Sequence, residues 1–306
     1  MIKSRKEKYR ANGKLLITGE YTVLKGAKAL AIPLKYGQEL IVTPNHESFF
    51  KWKASTVNGV WFEATYDGNL NIQISSNNQL ATNLSSIIKN CINHRPDIIE
   101  YIRNKTVQTH LEFNKNWGWG SSSTLISCLA QWLGVNPYLL LQDSFGGSGY
   151  DIACATATSP LIYRLNNYAP EITPIQFSPS FKKHIYFVYS GKKQNSQNEV
   201  KRINNHDITP DITDNINAIT EAMLECSDLN KFGHLIERHE HIMSHLIQRM
   251  PIKQSLFPDF DGYIKSLGAW GGDFMMAVTE KDEAYVKQYF CLHQLNKIFK
   301  FNDIIL

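Results

Sequence analysis

The sequence predicts an α+β protein of about two domains. Strand-like runs and helical periodicities mix without a regular strand-helix-strand rhythm, an Asn-Gly pair joins two strand-like runs, and glycine-rich turns stand at several strand-helix junctions. A chain of 306 residues, 43% hydrophobic and 20% charged, is long and apolar enough to bury the cores this class needs.

The elements follow in order. Leu15 to Ile17, Ala29 to Leu34 and Glu39 to Thr43 read as strands. Phe49 to Ser55 and Val60 to Thr65 flank Asn58-Gly59, the signature of a hairpin turn. After a strand at Asn71 to Ile74, apolar residues at 80, 84, 87, 88 and 91 keep the three-and-four spacing of a helix buried on one face. Val107 to Phe113 reads as a strand, and Leu125, Leu129 and Leu133 then recur at helical spacing up to Gly134, a C-terminal stop. Beyond a strand at Leu161 to Leu165, the segment Asn166 to Pro179 holds three prolines and two asparagines, which places a boundary there and predicts domains at 1–170 and 171–306. The second half reads as a strand at Ile185 to Tyr189, helices near Asp211 to Cys226, Leu229 to Arg249 and Asp261 to Ser266, and a strand at Phe274 to Thr279.

Charge narrows the partners. The net charge of +4 is the difference between 32 basic and 28 acidic residues, so no global field favours nucleic acid or a membrane surface, and an anionic ligand must be held locally. The basic stretch from Met1 to Arg10 reads as a solvated end, and no apolar run approaches a membrane span. Five scattered cysteines without a Cys-x-x-Cys pair suit reduced thiols in a cytoplasmic protein. The pattern does not specify an oligomeric state.

Four segments carry candidate chemistry. In Gly118-Trp119-Gly120-Ser121-Ser122-Ser123, glycines let the backbone approach a ligand, and the helix that follows offers unpaired amides and a positive dipole end to a phosphate. The serine hydroxyls would donate to phosphate or reach a magnesium ion; an ordinary helix N-cap explains the same residues. The turn lacks the Gly-Lys-Ser/Thr of the phosphate loop and the third glycine of the dinucleotide fingerprint. A second glycine cluster runs from Ser266 through Gly268, Gly271 and Gly272 to Asp273, and is either a ligand loop or a plain connection. In Gly146-Gly147-Ser148-Gly149-Tyr150-Asp151, Asp151 is placed either to accept a proton from a substrate hydroxyl or to cap the next helix. Lys14 and Glu20 flank a predicted strand within Gly13 to Tyr21.

Taken in order, these segments resemble the GHMP kinase family, in its mevalonate and phosphomevalonate kinase branch. Gly13-Lys14-Leu15 through Gly19-Glu20-Tyr21 is similar to the family's first motif, Gly118 to Ser123 to its phosphate-binding motif, and Ser266 to Asp273 to its C-terminal glycine motif. The resemblance implies two α+β domains with an active site between them, ATP and Mg2+ as cofactors, and a small hydroxylated acid as substrate. Gly147-Ser148-Gly149-Tyr150-Asp151 and the aspartate closing Gly271-Gly272-Asp273 look most like phosphomevalonate kinases; mevalonate kinase, a kinase of another metabolite, and an inactive binding protein on the same fold are the alternatives.

The same resemblance implies roles. Asp151 would be the catalytic aspartate and Lys14 the cation that steadies the substrate hydroxyl; Ser122 would coordinate magnesium, with Asp143 the nearby acidic candidate. Gly118, Gly120, Ser121, Ser122, Ser123, Gly268, Gly271 and Gly272 would hold the nucleotide, and Glu20 and Ser148 the acceptor; independently of the resemblance, Lys192 and Lys193, basic residues after a strand, are placed to bind a carboxylate or phosphate of the acceptor. Lys201 and Arg202 extend that basic run, which also reads as a solvated loop. Trp119 stands where the family has leucine, Asn12 where it has proline, and Leu267 and Trp270 where it has serine and glycine. A tryptophan at 270, in a phosphate-facing loop, would crowd ATP or recast the pocket. His234, His241 and His245 lie near one helical face with Glu237 but form no His-Glu-x-x-His pattern, and read as surface histidines.

Overall fold

The computed structural model describes residues 6–192, 207–268, 270 and 272–306. The chain forms two compact units that interleave along the sequence. The first comprises Met1–Gly13, Tyr36–Lys115 and Trp119–Thr156; the second comprises Lys14–Lys35, Asn116–Gly118 and Ala157–Leu306. Two long strands, β1 (Glu7–Leu16) and β2 (Ala29–Pro44), contribute residues to both.

In the first unit the strand order is β5-β4-β3-β6-β2, with β1 pairing on β2. β3 (Phe50–Thr56) and β4 (Gly59–Tyr66) form the expected hairpin, closing over Val57 and Asn58 with Gly59 at φ 105°. Their alternation turns Phe50, Trp52, Ala54, Phe62, Ala64 and Tyr66 inward, as a half-buried sheet requires. β5 spans Ile72–Ser75 and β6 spans Lys105–Leu111, the latter parallel to β3. Against this sheet pack α1 (Asn78–His94) and α3 (Ser121–Leu133), with the short α2 (Ile98–Ile102), α4 (Pro137–Ser144) and α5 (Tyr150–Thr156) alongside. α1 buries Ala81, Leu84, Ile87, Ile88 and Cys91, and α3 buries Ile126, Leu129, Ala130, Trp132 and Leu133. Each fully buried large side chain of this core contributes about 1.5–3 kcal/mol. Gly134 takes the left-handed conformation and closes α3 by donating to the Ala130 carbonyl.

The second unit pairs the start of β2 with β7 (Leu161–Asn166), and β7 with β8 (Ala169–Pro174). Its other sheet is antiparallel in the order β10-β11-β9-β12, built from β9 (Ile185–Tyr189), β10 (Tyr263–Ser266), β11 (Phe274–Val278) and β12 (Ile298–Lys300). The helices α6 (Pro210–Glu225) and α7 (Leu229–Ile247) are capped by Thr209 and Asp228. α7 lies so close to β10 that a Cβ on Gly233 would stand 2.2 Å from the Tyr263 ring, so the glycine permits the contact. The short α8 (Ile252–Leu256), α9 (Glu283–Leu292) and α10 (Phe301–Ile304) complete the unit.

Three elements differ from the sequence expectation. Asp261 to Ser266 is not a helix: Tyr263–Ser266 forms β10, because a four-residue segment has too little local preference to resist the ladder offered by β11. The basic end is not wholly solvated, since β1 begins at Glu7 and its charges are paired, with Lys8 2.7 Å from Glu39 and Arg10 gripping Glu112 at 2.6 and 2.7 Å. The Asn166 to Pro179 stretch holds no division between the compact units. Its two asparagines lie at the β7-β8 turn, where Asn167 and Tyr168 take positive φ, and β8 stays within the second unit.

Candidate active site

The turn ahead of α3 is built to leave amides open. Gly118 (φ 68°) and Gly120 (φ 88°) take left-handed conformations that carry the chain into the helix, and no side chain caps its first turn. Every other described helix of eight or more residues is capped: α1 by Asn77, α4 by Asn136, α6 by Thr209, α7 by Asp228 and α9 by Asp282. The serines are not caps either. Ser123 donates its hydroxyl back to the Gly120 carbonyl at 2.9 Å, Thr124 donates to Gln38 Oε1 at 2.7 Å, and Ser122 is exposed. Trp119 points inward: it is fully buried, with ring centroids 5.7 Å from both Tyr36 and Phe113.

Asp151 lies in the first turn of α5, half-buried, and accepts the Ile152 amide on Oδ1 at 3.0 Å. The turn before it uses positive φ at Gly146, Gly147 and Gly149, and Gln142 donates to the Gly147 carbonyl at 2.9 Å; Ser148 is half-buried within it. Asp143, the acidic candidate for a metal, is engaged elsewhere: its Oδ2 lies 2.7 Å from His94 Nε2 and its side chain is 49% exposed. Among the described residues no group of three histidine, cysteine or acidic side chains stands ready to hold a metal ion. His234 instead contacts Glu237 at 3.1 Å, and the His241 and His245 rings lie 4.3 Å apart.

In the second unit, Lys14, Leu15, Leu16, Trp117, Gly118, Leu267, Gly268, Asp273 and Phe274 line one small cleft. Lys14 is half-buried there on β1. Asp273 is 6% exposed and sits at φ 54°, held by hydrogen bonds from its amide to the Lys192 carbonyl (2.7 Å) and from the Ser190 amide to its carbonyl (2.8 Å). Its carboxylate packs so tightly on Gly118 that a Cβ there would lie 2.3 Å from Asp273 Cγ. Gly268 (φ 66°) and the buried Gly272 belong to the same loop; Gly271 lies outside the described residues. The Lys192 side chain is exposed, and Lys193, Lys201 and Arg202 also lie outside the described residues.

Trp270 turns into the core of the second unit. Its side chain is buried in a cluster with Tyr21, Ala27, Ile216 and Met243, its carbonyl accepts from Arg249 Nη1 at 2.9 Å, and its amide donates to the Tyr21 hydroxyl at 3.4 Å.

Glu20, expected at the acceptor, is buried in an ionic cluster. Lys265 Nζ, also buried, donates to Glu20 Oε1 at 2.5 Å and to the Ser266 carbonyl at 3.0 Å, and lies 3.8 Å from Glu240 Oε1. Ser266 donates its hydroxyl to Glu240 Oε2 at 3.2 Å. His239 Nε2 lies 3.2 Å from Glu20 Oε2 without hydrogen-bonding alignment. Burial pushes the Glu20 carboxyl upward, but the charge and hydrogen bond of Lys265, with the nearby imidazole of His239, outweigh it and leave it below the usual range. Burial and the Lys265 charge lower the His239 imidazole, while burial raises Glu240 to about 8. The cluster thus centres on the Glu20-Lys265 ion pair, with burial disfavouring the charged forms of both His239 and Glu240 beside it.

Sequence reading missed Lys265, His239 and Glu240. A signal existed on α7, where Phe232, Ile236 and Met243 mark a buried helical face and positions 239 and 240 fall on it. Polar residues on such a face require partners.

No family model matches this chain, and no curated protein matches it. Solved structures do. The mevalonate kinase of Methanococcus jannaschii superposes with a TM-score of 0.70 at 17% identity, covering 97% of this chain and 98% of that one. The phosphomevalonate kinase of Streptococcus pneumoniae, in complex with phosphomevalonate and AMPPNP, gives 0.69 at 16% identity over 96% and 99%. The galactokinase of Lactococcus lactis, complexed with galactose, gives 0.67 at 12% over 97% and 93%. From end to end, then, this chain has the α+β fold of the mevalonate, phosphomevalonate and galactose kinases.

Proposed function

We propose that the protein is an ATP-dependent kinase that transfers the γ-phosphoryl group to the hydroxyl of a small acid, with phosphomevalonate as the acceptor. One observation carries the reading: the first turn of α3 lacks a side-chain cap behind two left-handed glycines, while the five other described helices of that size or length class are capped. Open amides and a positive dipole end are the chemistry a phosphate requires. The likeness in fold to solved structures of kinases, one of them holding AMPPNP, supports it.

In this reading the backbone of Gly118 and Gly120 to Ser123 binds the phosphates and leaves no room for a side chain at Gly118. Asp151 accepts the acceptor's hydroxyl proton as that oxygen bonds to the γ-phosphorus and the bond to the ADP oxygen breaks. Lys14 supplies positive charge to the reacting oxygens. Such a reaction asks the protein mainly for position and charge neutralisation. Magnesium, when bound with the nucleotide, would neutralise phosphate charge. Ser122 is the residue fitted to reach it, because its hydroxyl is exposed while those of Ser123 and Thr124 are committed internally. Few protein ligands are expected for an ion held largely by phosphates and water. Ser148 and Lys192 are the described candidates for holding the acceptor, and Gly268 and Gly272 for the nucleotide.

The test is ADP release from Mg-ATP across phosphomevalonate, mevalonate, galactose and homoserine. The account expects turnover with phosphomevalonate; turnover with mevalonate alone would move the substrate, and none with any acceptor would contradict kinase activity. Asp151→Ala should lower kcat by about a thousandfold with the fold intact, whereas undiminished turnover would remove Asp151 from the mechanism.

A further inference from the structure

We propose that Lys265 is a positioning residue: its buried ammonium ties the Gly19–Tyr21 turn to the base of the Ser266–Asp273 loop, and so fixes the two segments that line the cleft of Lys14. The catalytic consequence rests on the kinase reading, whereas the tie itself does not.

The cleft lining draws on β1 through Lys14, Leu15 and Leu16, and on the loop through Leu267, Gly268 and Asp273. Glu20 follows Leu16 by four positions, and Ser266 stands immediately before Leu267. Lys265 Nζ donates to Glu20 Oε1 at 2.5 Å and to the Ser266 carbonyl at 3.0 Å. One ammonium therefore joins the two segments within four residues of the lining on each side. A second contact joins them again, since the Trp270 amide donates to the Tyr21 hydroxyl at 3.4 Å and both side chains belong to one buried cluster.

The turn is built to present Glu20 to that ammonium. Gly19 takes φ 88° with Ala29 Cβ 2.7 Å from where a side chain would begin, and Tyr21 takes φ 58°, a conformation that costs a non-glycine residue free energy and persists where its surroundings fix it. Lys265 is fully buried, and Glu20 is 1% exposed. Stability alone does not call for such a pair, because apolar residues of similar volume fill a core as well without the cost of desolvating two charges. What the pair adds is direction: hydrogen bonds hold the partners at set distances, and Ser266 is held a second time by its hydroxyl on Glu240 Oε2. A site that works by position and charge requires its supporting shell to be fixed in this way.

The double variant Lys265→Met with Glu20→Gln tests it, since it removes the tie without stranding a charge and should melt near the wild type. The first readout needs no ligand. Amide hydrogen exchange should quicken at least about tenfold at Leu267, which donates to the Phe274 carbonyl, and at Val23, which donates to the Gly19 carbonyl, with the amides of β3 unchanged. The second readout is kinetic: kcat should fall at least about tenfold, with KM for ATP changed much less. Glu20→Asp keeps both charges and draws the carboxylate back by one methylene, so it repeats both readouts should the double variant fold poorly. In the wild type, nitrogen NMR should show the Lys265 ammonium protons exchanging at least about tenfold more slowly than those of exposed Lys89 and Lys183. Wild-type exchange at Leu267 and Val23 in the variants, or a Lys265 ammonium that exchanges as fast as the exposed ones, overturns the tie. A kcat that returns together with stability overturns the positioning role. Faster loop exchange in a protein whose wild type turns over no acceptor leaves the tie standing and removes the kinase reading.

Discussion

The two glycine-rich loops, Gly118 to Ser123 and Ser266 to Asp273, solve similar problems by different physics. Each sends a tryptophan into the protein: Trp119 packs on Tyr36 and Phe113, and Trp270 packs with Tyr21, Ala27, Ile216 and Met243. The first loop is otherwise held by short-range bonds within its own turn and leaves its helix amides open. The second is tied by charged residues from distant sequence, with Lys265 reaching Glu20 across 245 positions. A loop that offers backbone to a ligand needs glycines and little else, whereas a loop that must place a side chain such as Asp273 needs a rigid frame.

The largest effects should come from breaking that frame. Lys265→Met leaves Glu20 buried without its counter-ion and should destabilise the protein by about 3–5 kcal/mol in denaturant unfolding. Adding Glu20→Gln should recover most of the loss, because a neutral pair of similar shape no longer strands a charge. A double variant no more stable than the single would show that the pair is not the frame's main contact. Trp270→Gly should cost a similar amount, about 3–5 kcal/mol, by emptying a core position. ATP affinity in that variant should stay level or weaken; tighter binding would mean that the tryptophan obstructs the nucleotide after all.

A smaller effect is expected from pH. Glu240 is raised by burial to about 8 from an ordinary 4.5, so the folded state holds its proton more tightly than the unfolded chain. The stability this proton provides is complete below about pH 4.5 and is lost progressively as pH rises toward 8, where Glu240 ionises beside Glu20. The facing groups are Lys265, Ser266, Glu20 and His239. Glu240→Gln should flatten the decline between about pH 4.5 and about 8 in thermal melts. An unchanged slope would place the titrating group elsewhere.

The contrast also explains what the sequence disclosed. The first loop was legible because its signals are local: two glycines, three serines and an apolar helical repeat lie within sixteen residues of Gly118. The strands of alternating residues from Phe50 to Tyr66 were legible for the same reason. The frame of the second loop was not, because Glu20, Glu240 and Lys265 become neighbours only when β10 joins β11 and α7 lies against it, and β10 is too short to announce itself. The inward turn of Trp119 and Trp270 was hidden too. A tryptophan in a glycine loop has one sequence and two directions, and only packing chooses between them. Asp143 stands near Asp151 along the chain, but its contact with His94, from α4 to α1, was not legible there.

The central claim is that nucleotide phosphate is bound by the open amides at the start of α3. Titration of the isotopically labelled protein with Mg-ATP, followed by amide NMR shifts, measures it directly. The account predicts that the largest shifts fall on Gly118, Gly120, Ser121, Ser122 and Ser123, with the capped first turns of α1, α6 and α7 silent. Saturable binding that leaves those five amides unmoved would contradict it.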